Sequence, residues 1–491
     1  MDAAVKTEHF DVLIVGAGIS GVGAAHHLKD QCPEKSFVIL EEKAVHGGTW
    51  ATHTYPGIRS DSDLYTFGYR FKPWSGHPIA EAKPILDYMG EVIEEDKTDE
   101  HTRYGHRVTH AAWDSSDKKW HIVAEQVDTR EIKKFTTNFL WMCQGYYDHK
   151  NPYTPDWKGL DKFEGEIVHP QLWPEDIDLK GKRVVVIGSG ATAATLIPNI
   201  ADECEHVTML QRSPTYFWTG ENRNELADRL RALEIPEEWV HEIVRREILS
   251  IAQAVQDFSI AAPDMVKEEL LKVVREKLGD EMVEKHFTPS YRPWQQRLAY
   301  IPDGDLFEAA KAGKVSIVTD QIESFTEGGI VTRGGEELQA DLIITATGFN
   351  LLPFGGIPFE VDGKAIDFGK EVTHRGLMLS NVPNMVYVFG YLRTSWTMRV
   401  DLICDFVCRL LKHMDDKNAG AVTPTLQGDD LKMECGPWIG EDDFNPGYLK
   451  RGLDKMPRQG DHAPWTFNTN YYTERDEIPN YDLDDATLVY A

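Results

Sequence analysis

Twice in this chain a short run of β-branched residues breaks at a glycine and re-emerges as a helical stretch, a grammar that restricts the fold more than any other feature. Residues 10–15 (FDVLIV) run into Gly16-Ala17-Gly18-Ile19-Ser20-Gly21, and an Ala-rich helical pattern continues from Ile19 to Leu28. Gly16 permits the tight turn, Gly18 lets the backbone approach a pyrophosphate, and Gly21 lets helix and strand pack closely. The helix N-terminus adds a favourable dipole, and Ser20 within the motif is counted with the phosphate-binding residues. Residues 37–40 (FVIL) form the next strand and end at Glu41, 20 positions beyond Gly21, where an acid accepts hydrogen bonds from ribose hydroxyls.

The grammar recurs from Arg183 to Leu210. A strand to Ile187 opens into Gly188-Ser189-Gly190-Ala191-Thr192-Ala193, a helix follows to Ile200, and the strand Val207–Leu210 ends at Gln211 and Arg212. Where the first unit has its acid, this one has Arg212 followed by Ser213. A guanidinium there pairs with a 2′-phosphate and a hydroxyl adds a hydrogen bond, so this unit is expected to take NADPH rather than NADH, its phosphates on Gly188, Gly190, Ala191 and Thr192. A solvated arginine at a strand end is the alternative for Arg212. Two dinucleotide sites on one chain have a simple use: one holds a flavin and the other delivers a hydride to it. The fold class expected is α/β, with two Rossmann-like domains for FAD and NADPH.

Residues 222–285 change character, rich in Glu, Arg, Leu and Ala with little strand signal, and predict a helical insertion in the NADPH unit. The expected division is a FAD domain of 1–148 with 350–491 and an NADPH domain of 149–349. Within these, KVSIVTD and LIITATG are expected as strands, Met398 to Met414 as a long helix, and the acidic last fourteen residues as loosely held. A net charge of −28 opposes nucleic acid and anionic membranes as partners. No apolar run is long enough to span a membrane and the N-terminus lacks a signal-peptide pattern, so a cytoplasmic protein, favoured as a monomer, is expected. The six cysteines include no C-x-x-C pair, which argues against a disulfide framework, a zinc site or a dithiol acceptor and leaves oxygen or a small molecule as the electron sink. No metal is expected, and Cys404 and Cys408 are expected in the core.

Phe163-x-Gly165-x-x-x-His169-x-x-x-Trp173-Pro174, just before the second glycine motif, resembles the fingerprint of Baeyer–Villiger flavin monooxygenases, class B flavoprotein monooxygenases. Gly47-Gly48-Thr49-Trp50, Tyr55-Pro56-Gly57 and Asp61 are similar to a second stretch diagnostic of that family. HFTPSYRPWQQRL and IPDGDLFEAA resemble, within it, the short group that includes the ethionamide-activating monooxygenase. The resemblance implies insertion of one oxygen atom of O2 beside a ketone carbonyl, giving an ester or lactone through a C4a-peroxyflavin, with sulfoxidation of thioethers as a second activity. An N- or S-hydroxylating flavin monooxygenase is the nearest alternative, and a catalytically idle NADPH sensor a third.

The resemblance also assigns roles. Arg297 stands where the family's catalytic arginine holds the anionic peroxyflavin, with Arg292 as a rival; a guanidinium stays charged at any working pH. Asp61 is expected to pair with that arginine and to tune the flavin pocket, the alternative being a helix cap within Ser60-Asp61-Ser62-Asp63. Gly48, Thr49, Trp50, Tyr55 and Val108 are placed at the flavin, although the aromatic pair also suits an ordinary core. Gln296 replaces the lysine that many members use near the 2′-phosphate and is counted at the NADPH site. His169 is read as fixing the connection between the units by hydrogen bonds rather than as an acid or base. Substrate-pocket walls are expected from 351–358, 391–397 and 436–447.

Overall fold

The computed structural model describes residues 6–296, 298–440, 444 and 446–491. The apolar run Thr7–Val15 forms the spine of a nine-stranded sheet, parallel to Phe37–Leu40 on one side and to Ile132–Met142 on the other. Val15 pairs with Leu40 and with Met142, so all three strands end together, and Val12, Leu13 and Ile14 have no exposed surface. Strands with apolar residues on both faces belong in such a buried parallel arrangement. The hairpin His106–Asp114 and Lys119–Gln126 extends the sheet antiparallel, and Phe359–Val361 and Met385–Tyr387 return to it from late in the chain.

Helix Ile19–Gln31 follows the first glycine turn and packs with Trp396–Asp416, the long helix expected near the end. A Cβ on Gly21 would meet the Gly16 carbonyl oxygen at 1.9 Å, which is why glycine is needed where this helix crosses its strand. Cys404 and Cys408 are fully buried in this core, as expected. A second, all-parallel sheet orders as Val315–Thr319, His206–Gln211, Arg183–Ile187, Leu342–Thr345 and Glu166–Val168. Helix Ala191–Ile200 springs from its central strand, so both units have the Rossmann grammar read from the glycine motifs.

Between the strands of the second sheet lie helices Glu225–Ala232, Glu237–Ala261, Pro263–Leu278 and Asp280–His286. They are helical as expected, but they pack against both units rather than against the second alone. Val240 and Val244 pack with Leu64, Tyr65 and Ile85 of the first unit, whereas Leu270, Val274 and Phe287 pack against the second sheet. Buried Arg245 fastens the first junction by donating to the carbonyls of Tyr65, Thr66 and Gly68 at 3.0, 3.2 and 3.2 Å.

The C-terminal segment corrects its expectation. Ile478, Tyr481, Leu483 and Leu488 are buried in the first core, and Leu488–Tyr490 pairs antiparallel with Val422–Pro424. The acidic side chains face outward while this apolar set anchors the backbone. Among the described residues no helix is long and apolar enough to cross a membrane.

Candidate active site

Beside the carboxyl end of the Thr7–Val15 strand opens a cavity of about 970 Å³, at the upper end of the roughly 300–1,000 Å³ of ligand sites. Gly16, Gly18 and Ser20 form one end of its wall and Glu41 lies alongside. Gly16 has φ +101° and a Cβ there would lie 2.8 Å from the Cys143 carbonyl oxygen; Gly18 faces Gly48, whose own Cβ would approach Gly18 Cα at 3.1 Å. The two backbones touch without side chains between them and present a bare surface that a pyrophosphate can approach closely. Glu41 accepts from the amide of Ala17 at 2.7 Å and from that of Lys43 at 2.8 Å. Burial raises its pKa despite these bonds.

Gly48, Thr49, Trp50, Asp61 and Val108 also line the cavity, so residues chosen from distant stretches converge on one space. Gly21 lies behind the wall, in the helix–strand contact already described. Arg297, the expected catalytic arginine, lies outside the described residues; Trp294 and Leu298 on either side of it line the cavity, and its rival Arg292 does not. Trp294 has φ +61°, a strained backbone for so bulky a residue, and its carbonyl accepts from Arg393 Nε at 3.3 Å. Of the anticipated wall segments, 351–358 contributes Leu352, Gly355 and Ile357, and 391–397 contributes Tyr391 to Trp396. No described residue of 436–447 lines it.

Tyr55 corrects its expected place on the flavin wall. It lies in the core of the second unit, hydrogen-bonded to Thr192, and burial raises its phenol to about 12. The cause is Gly57: at φ +72° it turns the chain onto helix Ala191–Ile200, where a Cβ would collide with the Asn199 amide at 2.1 Å. Gly188, Gly190, Ala191, Arg212, Ser213 and Gln296 likewise lie outside the large cavity. Gly188 has φ +133°, and a Cβ there would lie 2.4 Å from the Ala346 carbonyl oxygen, whereas the position at Gly190 is open. This second turn therefore presents a bare helix N-terminus of its own, suited to phosphate.

Several wall residues escaped sequence reasoning. Tyr146 stacks on Trp396 with centroids 5.2 Å apart, and the Trp396 indole donates to Ser20 Oγ at 2.9 Å, joining the first helix to the last long one. Tyr146 and Tyr147 follow the carboxyl end of a parallel strand, which is the signal that points to them. Asp63 caps the short helix Leu64–Phe67 by accepting from the Tyr65 amide at 2.9 Å, lines the cavity, and is lifted by burial to about 7. His169 accepts from the Gln171 amide at 3.1 Å, Gln171 donates to the Asp148 carbonyl at 2.7 Å, and burial lowers the imidazole to about 4. A ring neutral at working pH is poorly suited to general acid work.

The chain can be set against known proteins on this geometry. The pyridine nucleotide-disulphide oxidoreductase family profile matches residues 10–253, although all six cysteines here are free thiols. FAD-containing monooxygenase EthA of Mycolicibacterium smegmatis is 44% identical over 488 residues, covering 99% of this chain and 98% of that one. This chain belongs to the FAD-containing monooxygenases. A probable FAD-binding monooxygenase of the same family, AlmA of Acinetobacter baylyi, is 41% identical over 98% of this chain and 96% of its own. Among solved structures, a steroid monooxygenase bound to NADP superposes with TM-score 0.74 at 25% identity, covering 96% of this chain and 97% of that one. A Rhodococcus cyclohexanone monooxygenase variant bound to NADP+ shares the fold, with TM-score 0.71 at 24% identity over 85% of this chain and 88% of that one. The chain is thus an FAD-containing monooxygenase, a class that uses O2 and an organic substrate, and it shares the fold of solved monooxygenases bound to NADP.

Proposed function

We propose that this FAD-containing monooxygenase carries out NADPH-dependent Baeyer–Villiger oxygenation of small apolar ketones, placing one oxygen atom of O2 beside the carbonyl to give an ester or lactone, with thioether sulfoxidation as a second activity. The observation that supports this best is the single cavity joining the first glycine turn and Glu41 to Asp61 and to an aromatic and aliphatic wall. Its donor set fits FAD: the bare backbone surface of Gly18 and Gly48 would take the pyrophosphate, the buried Glu41 carboxylate the ribose hydroxyls, and Trp50 and Val108 would help to hold the ring system. FAD held there would supply the redox and oxygen-activating chemistry, with NADPH as the hydride source.

The protein's own part is positioning and electrostatics. The FAD domain takes 1–148 and 350–491, and the NADPH domain 149–349, with Gly188, Gly190, Ala191 and Thr192 at the phosphates and Arg212, Ser213 and Gln296 toward the adenosine end. By the family resemblance, Arg297 would supply a permanent positive charge to the reaction, with Asp61 as its carboxylate partner. Leu352, Ile357 and Leu392 shape an apolar space that admits a ketone and limits water. The test is to give purified FAD-loaded protein NADPH and, separately, a methyl ketone, a thioether and a tertiary amine. Ester from the ketone together with sulfoxide supports the proposal. Oxygenation of sulfide or amine without ester assigns it to the N- or S-hydroxylating type.

A further inference from the structure

The carboxyl rim of the second sheet carries an arginine from far along the chain. Arg451 lies on the short helix Gly447–Gly452 and donates through Nη2 to the Phe349 carbonyl at 3.0 Å. Its guanidinium carbon sits 3.4 Å from the centroid of the Tyr153 ring, and Tyr153 is held in turn by Thr347, whose hydroxyl donates to its carbonyl at 2.5 Å. Thr347 and Phe349 belong to the turn after strand Leu342–Thr345, which pairs with Arg183–Ile187 and so flanks the Gly188 turn on one side. On the other side strand His206–Gln211 pairs with Arg183–Ile187 and delivers Arg212 to the same rim. Stacking and the carbonyl bond fix Arg451 there at little further entropic cost.

The charge balance at this place is unusual for the chain. The protein carries 80 acidic against 52 basic residues, yet among the described residues neither Arg212 nor Arg451 is ion-paired with a carboxylate. Burial lowers the pKa of Arg451, Tyr153 opposes this, and the positive charge of Arg212 lowers it further, so the two cations repel each other. Next to the guanidinium stand two glycines rather than side chains: a Cβ would lie 3.8 Å from it at Gly348 and 3.3 Å at Gly447. A dianion settling between two such forks removes the repulsion and takes charge-assisted hydrogen bonds from both.

We propose that Arg451 is a specificity-determining residue of the nicotinamide cofactor site, a second guanidinium that clamps the 2′-phosphate of NADPH together with Arg212. This rests on reading the second glycine turn as the NADPH site. It also ties a segment of the FAD-side sequence directly to the other cofactor, so that the 2′-phosphate bridges the two parts of the chain.

The test is calorimetric titration of FAD-loaded full-length protein with 2′,5′-ADP and with 5′-ADP, for the wild type, Arg451→Gln, Arg451→Lys and Arg212→Gln. Arg451→Gln is expected to weaken 2′,5′-ADP about 10- to 100-fold, the loss of one charge-assisted contact, to leave 5′-ADP unchanged, and to be partly rescued in Arg451→Lys. The proposal is overturned if Arg451→Gln keeps the wild-type preference for 2′,5′-ADP, or if it weakens both ligands equally, as a merely structural residue would. Should the wild type itself fail to distinguish the two nucleotides, and Arg212→Gln change nothing, the NADPH assignment of this turn falls along with the proposal.

Discussion

Replacing Glu41 with glutamine probes the first dinucleotide site with almost no change in volume. The carboxylate accepts from the Ala17 amide through Oε2 at 2.7 Å and from the Lys43 amide through Oε1 at 2.8 Å. Both backbone donors need an oxygen, and glutamine has only one. Whichever way its amide turns, one N–H faces an NH2 group and is left unpaired in a buried place, which costs about 1–3 kcal/mol of stability. Bound FAD loses more: ribose hydroxyls that donate to a charged oxygen gain about 1.5–3 kcal/mol from it. At 1.4 kcal/mol per tenfold, FAD affinity is expected to fall about 10- to 100-fold. The assay is fluorescence titration of apoprotein with FAD, alongside titration of the same variant with NADP+, whose site lies elsewhere and is expected to be unaffected. Wild-type FAD affinity in Glu41→Gln, or a loss confined to NADP+, would refute the assignment of this acid to the flavin ribose.

Gly188→Ala is expected to abolish NADPH binding while FAD stays bound, since a Cβ there meets the Ala346 carbonyl oxygen at 2.4 Å and φ is +133°; separate titration of the two cofactors checks it. Arg399, fully buried, grips Glu474 at 2.8 and 3.0 Å; Arg399→Met strands that carboxylate and is expected to cost about 3–5 kcal/mol in urea unfolding. Asp63 has its folded pKa raised by burial to about 7, against about 3.9 when unfolded. The folded state therefore holds its proton more tightly, and its contribution to stability falls as pH rises from about 4 through about 7. Asp63→Asn keeps a cap on helix Leu64–Phe67 and is expected to flatten this decline, seen as a smaller difference between unfolding midpoints at pH 5 and pH 8.

Much of the site was legible because its rules are local. A β-branched run, three glycines at fixed spacing and an acid at the next strand end place Gly16, Gly18 and Glu41 around one cavity without knowledge of the rest of the chain. The Arg183–Ile187 unit likewise shows the strand, glycine turn and helix that its sequence predicts. What sequence reasoning missed depends on contacts between distant segments. Tyr55 belongs to the second unit because Gly57 turns its loop onto Asn199, some 140 positions away. The last fourteen residues look acidic and loose until Leu483 and Leu488 are seen beneath the long Trp396–Asp416 helix. Trp396 lies in the expected wall segment 391–397, but only folding brings its indole to Ser20. The helical pattern of 222–285 shows amphipathic faces but does not say that one face meets Tyr65 and another the second sheet. Asp63 is masked by a capping-rich stretch in which Asp61 carries the resemblance.

The most direct test of the account is incubation of the FAD-loaded protein with NADPH, a simple methyl ketone and 18O2, followed by mass spectrometry of the product. The account predicts an ester carrying one 18O atom, formed in step with NADPH consumption and absent without NADPH. NADPH oxidation that yields only hydrogen peroxide, with the ketone recovered unchanged, would contradict it.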